Sequence, residues 1–250
     1  MKWSSIKNLM VGFLIFMNVA MLAIIIATSV NKAYIPQKVI NSTLSVIRKS
    51  GFEITKGTFP DKYYSLPTYK SEFYSASDLS DLFFKKQIAF RTEDDSLVGT
   101  QDSAVLTVND NYFSYDSGND ARKKSSPEEL KRALKKTGFD MTGAVYDEKT
   151  KHFYKMYNGL NLFNMSLEAK LDEDGEICFV KAHWPKRLIK SENKTISFIE
   201  SSAKLREAFP NGGTVKSIEL GYSLHSLGGD NFLFSPAWRV NVNEEPKIIE

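Results

Sequence analysis

Ser126-Pro127-Glu128-Glu129-Leu130-Lys131-Arg132-Ala133-Leu134-Lys135-Lys136-Thr137-Gly138 spells out a helix from cap to cap. A capping serine, proline at the first helical position and glutamate three residues after the serine open it. Leu130, Ala133 and Leu134 supply its apolar stripe, and Gly138 ends it. The period then changes. Residues 144–146, 152–157, 161–171 and 177–184 read as strands, the last two joined across an Asp172-Glu173-Asp174-Gly175 turn. One helix followed by antiparallel strands is the pattern by which the rest of the chain is read.

Downstream the order repeats. Ile196, Ile199, Ala203 and Leu205 predict a helix ending near Phe209-Pro210-Asn211-Gly212, with strands at 215–224 and 232–242. Upstream, Pro36, then Val39, Ile40, Leu44 and Ile47, then Gly51 predict an amphipathic helix. Residues 52–75 alternate aromatic and polar positions around Pro60 and Pro67, as short strands or extended loops do. Ser77-Asp78-Leu79-Ser80-Asp81 opens a short helix carrying Leu82 and Phe83, and residues 104–108 and 112–115 flank an Asn-Asp-Asn hairpin turn. Runs of antiparallel strands with a helix on one face predict an α+β fold of repeated helix-plus-sheet units, not a doubly wound parallel sheet. The expected division is a tail at 1–7, an apolar segment at 8–31, a first α+β region at 32–124, and helix-plus-sheet units at 125–190 and 191–250.

Residues 8–31 carry no charge, and 9–30 are apolar except for Gly12, Asn18, Thr28 and Ser29. At a rise of about 1.5 Å per residue this run spans about 33 Å, enough for a hydrocarbon core of about 30 Å. It is also longer than the apolar core of a cleaved signal peptide, about 7 to 15 residues, although Ala27-Thr28-Ser29 offers a weak cleavage pattern. The expectation is therefore a single-pass membrane helix. Lys2, Lys7 and the terminal amine favour a cytoplasmic N-terminus and an extracellular C-terminal region, against the opposing weight of Lys32 and Lys38. At about 100° per residue, Gly12, Ala20, Ala23 and Ala27 share a stripe and Asn18 lies roughly opposite, so two faces could each hold a partner helix. Small residues and one asparagine also occur in anchors that bind nothing.

Composition narrows the function. With 42% hydrophobic and 12% aromatic residues the chain can build a sizeable core. Thirty-three Lys and Arg stand against 30 Asp and Glu, and without Lys2 and Lys7 the balance is +1, so no general basic field marks a nucleic-acid binder. The lone Cys178 excludes an internal disulfide and a cysteine zinc site, and His152, His183 and His225 have no metal-ligand spacing. No metal or cofactor is expected. Ser201-Ser202-Ala203-Lys204 and Lys136-Thr137-Gly138 imitate elements of penicillin-binding enzymes, but the order is reversed, Gly138 is explained by capping, and no Ser-Asp-Asn element accompanies them. Gly221-Tyr222-Ser223-Leu224-His225 lacks the second glycine of a nucleophile elbow, and the Asp172 turn has His183 where a calcium loop needs glutamate. Asn41, Asn164 and Asn193 head glycosylation patterns, which matter only in a eukaryotic secretory pathway. No catalytic residue is assigned.

One local imbalance remains. Arg122, Lys123, Lys124, Lys131, Arg132, Lys135 and Lys136 outnumber Glu128 and Glu129 by five. Such a patch could face anionic lipid or an anionic polymer, or it could be a solvated helix face whose late lysines complement the dipole.

Met1-Lys2-Trp3-Ser4-Ser5-Ile6-Lys7, running into Phe13-Leu14-Ile15-Phe16-Met17-Asn18, resembles the start of the YycI family. Ile218-Glu219-Leu220-Gly221-Tyr222 and Ser235-Pro236-Ala237-Trp238-Arg239-Val240 are similar to that family's closing strands. Order, spacing and length fit along the whole chain, whereas the middle is supported by architecture alone. The resemblance implies a non-enzymatic regulator that acts with a YycH-like partner on a WalK-type sensor histidine kinase governing cell-wall metabolism, through contacts among membrane helices. Tyr222 and Trp238 are also explained as an aromatic pair closing the core on neighbouring strands. The rival readings are an envelope module that binds anionic lipid or polymer and an anchored envelope hydrolase using Ser201 or Ser202.

Overall fold

The computed structural model describes residues 14, 17–19, 21, 34–54, 56–122, 124–228 and 231–250. Of these, 49% lie in strands and 23% in helices, so the fold is organised by sheet. Its first half runs α1 (Gln37–Lys49), β1 (Phe52–Glu53), β2 (Tyr64–Phe73), α2 (Ala76–Phe84), β3 (Phe90–Glu93), β4 (Ser96–Gln101), β5 (Ala104–Asn109), β6 (Tyr112–Asp116) and α3 (Pro127–Thr137). The second half runs β7 (Ala144–Asp147), β8 (His152–Tyr157), β9 (Leu160–Leu171), β10 (Ile177–His183), β11 (Pro185–Ile196), α4 (Phe198–Ser202), α5 (Leu205–Ala208), β12 (Gly213–Ser226), β13 (Phe232–Val242) and β14 (Glu245–Ile249).

The chain divides into two compact units. The smaller holds the described residues up to Ser65 together with Thr195–Ile218 and Asn241–Glu245. In it α1 buries Ile40, Leu44 and Ile47, the spacing of four and three that puts residues on one helix face. Arg48 and Lys49 occupy its last turn, where cations meet the negative end of the helix dipole. β1 pairs in parallel with the first residues of β12, Phe52 opposite Gly213. Phe59 meets Phe198 of α4 edge to face at 5.3 Å.

The larger unit holds Leu66–Lys194, Glu219–Val240 and Pro246–Glu250. Its sheet follows the order β11-β2-β13-β12-β9-β10-β6-β5-β4-β3, with β8 on β9, β7 on β8 and β14 on β13. β9 is the pivot. Asn161 and Leu162 pair in parallel with Gly221 and Tyr222 of β12, while residues 166–171 pair antiparallel with β10. Asn164, at φ 63°, falls between the two stretches. Leu79 of α2 and Leu130 and Leu134 of α3 are buried in one core with Leu106, Phe113, Val180 and Trp184, so these helices pack on the strands. A second core gathers Tyr69, Leu162, Met165, Tyr222 and Phe234.

This arrangement corrects the expected α+β fold of repeated helix-plus-sheet units. β2, from the first expected region, pairs with β13 from the last, with Ser71 opposite Phe232, and β12 joins β9. The result is one large mixed sheet whose strands interleave. Two-residue periodicity identifies a strand and its buried face, but backbone hydrogen bonds are the same for every strand, so nothing in the pattern names the neighbour.

Helix α2 starts two residues earlier than the Ser77 reading. Ser75 is its cap, accepting from the Asp78 N–H while the Asp78 carboxylate accepts from the Ser75 N–H. Ser75→Ala removes the hydroxyl half of this reciprocal pair, leaving the Asp78 N–H without its acceptor, and is expected to cost about 1 kcal/mol in urea-induced unfolding. An unchanged denaturation midpoint would contradict the cap.

A second correction concerns the expected membrane arrangement. No helix among the described residues is long and apolar enough to cross a membrane. The longest continuous described helix, α1, has 13 residues and reaches about 20 Å against a hydrocarbon core of about 30 Å, with one face polar. The expected single-pass arrangement, N-terminus cytoplasmic and C-terminal region extracellular, is corrected on that finding. Of the apolar segment 8–31, only Leu14, Met17, Asn18, Val19 and Met21 are among the described residues.

Candidate functional site

In β8 the alternation of His152-Phe153-Tyr154-Lys155 turns Phe153 and Lys155 inward. Lys155 is 3% exposed, so its ammonium must find partners inside the protein. Asp140 supplies two, because Lys155 Nζ donates to its Oδ2 and to its backbone carbonyl, each at 3.0 Å. Trp184 completes the arrangement. Its Nε1 donates to the same carbonyl at 3.0 Å, and the lysine Nζ lies 5.0 Å from the ring centroid, within cation–π range. The Thr142 N–H donates to Asp140 Oδ1 at 2.9 Å and fixes the carboxylate.

Burial pushes the Lys155 amine below its ordinary value, and Asp140 opposes the shift without reversing it. Burial would raise Asp140, but the hydrogen bonds from Thr142 and the charge of Lys155 hold it below the usual carboxylate value. The two directions are compatible. Lys155 is almost fully enclosed, whereas the Asp140 side chain is half exposed and keeps most of its solvation.

Lys155 and Asp140 border a groove of about 630 Å³. Lys131 of α3 and Lys186 and Arg187 at the start of β11 also line it. Lys131 Nζ donates to the Ala144 carbonyl on β7 at 3.2 Å, and Lys186 Nζ lies 2.7 Å from Asp78 Oδ1. Four cations from three elements thus line the groove with one acid, Asp140, and two of them, Lys155 and Lys186, are paired with Asp140 and Asp78. The arrangement suits recognition of a carboxylate or phosphate.

The seven-residue basic patch has a different disposition from the one its spacing implied. Arg122 pairs with Glu129 at 3.2 Å and Lys136 with Glu176 at 2.5 Å, while Lys131 reaches the groove. Lys124, Arg132 and Lys135 are exposed, and Lys123 lies outside the described residues. Of the expected helix-contact residues, Gly12, Ala20, Ala23 and Ala27 lie outside the described residues. Asn18 is exposed, and its amide donates to the Leu14 carbonyl one turn back.

The sequence's other chemical candidates remain dispersed. His152 lies 3.6 Å from Glu168, His225 2.9 Å from Glu250, and the His183 ring is tilted against Tyr112 at 5.0 Å. Among the described residues no group of His, Cys, Asp or Glu gathers to hold a metal ion. Ser201 is buried with its hydroxyl on the Ser197 carbonyl, and the Ser202 hydroxyl donates to the Ile199 carbonyl. Gly138 closes α3 and accounts for the glycine of the Lys-Thr-Gly triplet.

The two closing motifs form one packed feature. Tyr222 on β12 and Trp238 on the adjacent β13 are 1% and 2% exposed, which makes both of them core residues. Tyr222 meets Tyr69 edge to face at 5.4 Å, and burial followed by Tyr69 pushes its phenol far above the ordinary value. Arg239 pairs with Glu219 at 2.5 Å and lies 4.9 Å over the Phe163 ring, and Asn161 donates to the other Glu219 oxygen. A side chain on Gly221 would fall within that same Phe163 ring, so glycine lets β12 close on β9.

Sequence reading missed Lys155, Lys186 and Arg187 as members of a site. The available signal was the lysine at an inward position of an otherwise aromatic alternation. Its link to β11 had no signal, because residues 185–196 were not recognised as a strand.

Fold and groove together define a mixed-sheet protein with a groove lined by cations. No family model and no curated relative matches the chain. Among solved structures it is similar to an uncharacterized protein from Eubacterium rectale ATCC 33656, determined at 1.45 Å, with 13% identity over 79% of this chain and 85% of that one and a TM-score of 0.41.

Proposed function

We propose that this protein is a non-catalytic regulator in a two-component system controlling cell-wall metabolism, binding a WalK-type sensor histidine kinase together with a YycH-like regulator. The observation that carries the reading is the convergence of its closing motifs. The segments that resemble the YycI family's end, around Gly221-Tyr222 and Trp238-Arg239, lie on hydrogen-bonded neighbours and are tied by Arg239, Glu219 and Phe163 into one structural feature. A regulator of this kind acts by binding the kinase's two signalling states unequally, since equal affinity would shift nothing.

The groove supplies a surface for such binding. The rival anionic-polymer reading draws less support, because Arg122 and Lys136 of its patch are already paired with glutamates. The test is co-expression of the full chain with the kinase and the YycH-like protein, followed by affinity isolation and measurement of kinase autophosphorylation. Retention of both partners and a changed phosphorylation level are expected. Neither protein retained, with the phosphorylation level unmoved, would overturn the proposal.

A further inference from the structure

Among the described residues β11 ends the strand order, with β2 as its neighbour and no strand on its other edge, which presents backbone groups to an added strand. Along it, residues 189–194 are exposed on both faces. The residues of its exposed stretch include Lys186, Arg187, Lys190 and Lys194 against the single acid Glu192. Its first residues, Pro185, Lys186, Arg187 and Leu188, line the groove that also holds Lys131 and the buried Lys155. Free edge and cationic groove are therefore continuous.

Of the other two strands that line the groove, β8 is paired on both sides, by β7 and β9, and β7 is closed at the level of Ala144. The Ala144 N–H donates to Met141 and the Ala144 carbonyl accepts from Lys131, so both outward backbone groups of that residue are occupied. Pairing must then use β11. Val145 is 49% exposed on one wall and Leu188 is half-buried in the groove, giving an incoming strand apolar ground for alternate side chains.

We propose that an extended, acidic segment of a protein partner adds to the open edge of β11, with its carboxylates toward Lys190 and Lys194, which share a face of the strand with Lys186 of the cationic groove. Charge decides the occupant. The same lysines repel the β11 edge of a second copy of this chain and attract an acidic strand. At about 3.3 Å per residue, the nine residues 186–194 offer about 30 Å of edge. The proposal rests on the reading of this chain as a partner-binding regulator and names the chemistry of the partner's segment.

The test uses the full chain and a fluorescein-labelled peptide of alternating Glu and Val, about eight residues long to match the edge. A Lys-Val counterpart and anionic phosphatidylglycerol vesicles are measured beside it. Binding of the acidic peptide is expected to weaken at least about tenfold in Lys190→Glu/Lys194→Glu, with no binding of the basic peptide. Hydrogen exchange is expected to slow at residues 187–194 when the acidic peptide binds. Either no binding of the acidic peptide or equal binding by the charge-reversed variant would overturn the proposal. Peptide binding without protection of β11 amides would also overturn it, as would charge-dependent capture by vesicles in place of the peptide.

Co-isolation of the kinase and YycH-like protein separates the two ideas. Partners retained by a chain that ignores the peptide would remove the strand-addition site alone. Peptide bound by a chain that retains neither partner would remove the signalling reading alone.

Discussion

Trp184→Ala is expected to destabilise the fold by about 4 kcal/mol, the loss typical of removing a fully enclosed indole. Trp184 is 0% exposed, and three contributions disappear with it. The core around Leu134 and Val180 gains a cavity, Asp140 loses the Nε1 donor to its carbonyl, and Lys155 loses the ring beneath its ammonium. The carbonyl keeps its bond from Lys155, so the dominant loss is packing. Urea unfolding followed by far-ultraviolet circular dichroism measures it. A loss under about 1.5 kcal/mol would show that the site collapses around the missing ring.

Lys155→Met separates packing from charge. An apolar chain of similar volume removes the buried cation but leaves Asp140 without its partner; because that carboxylate is half exposed, a loss of about 1 to 2 kcal/mol is expected at neutral pH, below the about 3 to 5 kcal/mol of a broken pair whose remaining charge is buried. The pH dependence carries a clearer sign. Because the folded amine titrates below the unfolded one, the unfolded chain holds a proton that the folded chain has lost throughout the interval between them. Stability contributed by this group therefore rises with pH across that interval and is flat below it. Lys155→Met abolishes the rise. Asp140 behaves in the opposite range, where its contribution is lost as pH falls through its depressed folded value.

The second large effect is at Gly143. Its φ of 70° is in the left-handed region, and an added Cβ would fall on the Met156 carbonyl oxygen. Both costs act in Gly143→Ala, about 1 to 2 kcal/mol for the backbone and about 1 to 3 for relieving the collision, or roughly 3 kcal/mol in all. Gly159→Ala isolates the first. At φ 78° it has nothing within 4 Å of the added methyl, and a loss of about 1 kcal/mol is expected. Equal losses at the two glycines, measured by urea unfolding, would contradict the close approach of the 143 turn to β8.

Much of the local structure was legible because it is written in short-range rules. Ser126, Pro127 and Gly138 bracket α3, and alternating apolar residues mark β8, β9 and β10. β11 escaped because a strand exposed on both faces has no hydrophobic period to read. β3 and β4 escaped for a related reason, since their patterns are mostly exposed or half-buried. The basic patch was visible as a charge count, but spacing could not show that Arg122 and Lys136 would meet Glu129 and Glu176.

By itself, the sequence determined the start and end of α3, the buried faces of β8, β9 and β10, and that Tyr222 and Trp238 close the core. Those outcomes depend on caps, turns and periodicity within a few residues. Only the tertiary structure decided that β2 joins β13, that β12 joins β9, and that Lys131, Lys155, Lys186 and Arg187 border one groove. Strand partners and groove walls are chosen by packing among segments far apart in the chain, where each backbone offers the same hydrogen bonds and the fit of whole faces selects the neighbour.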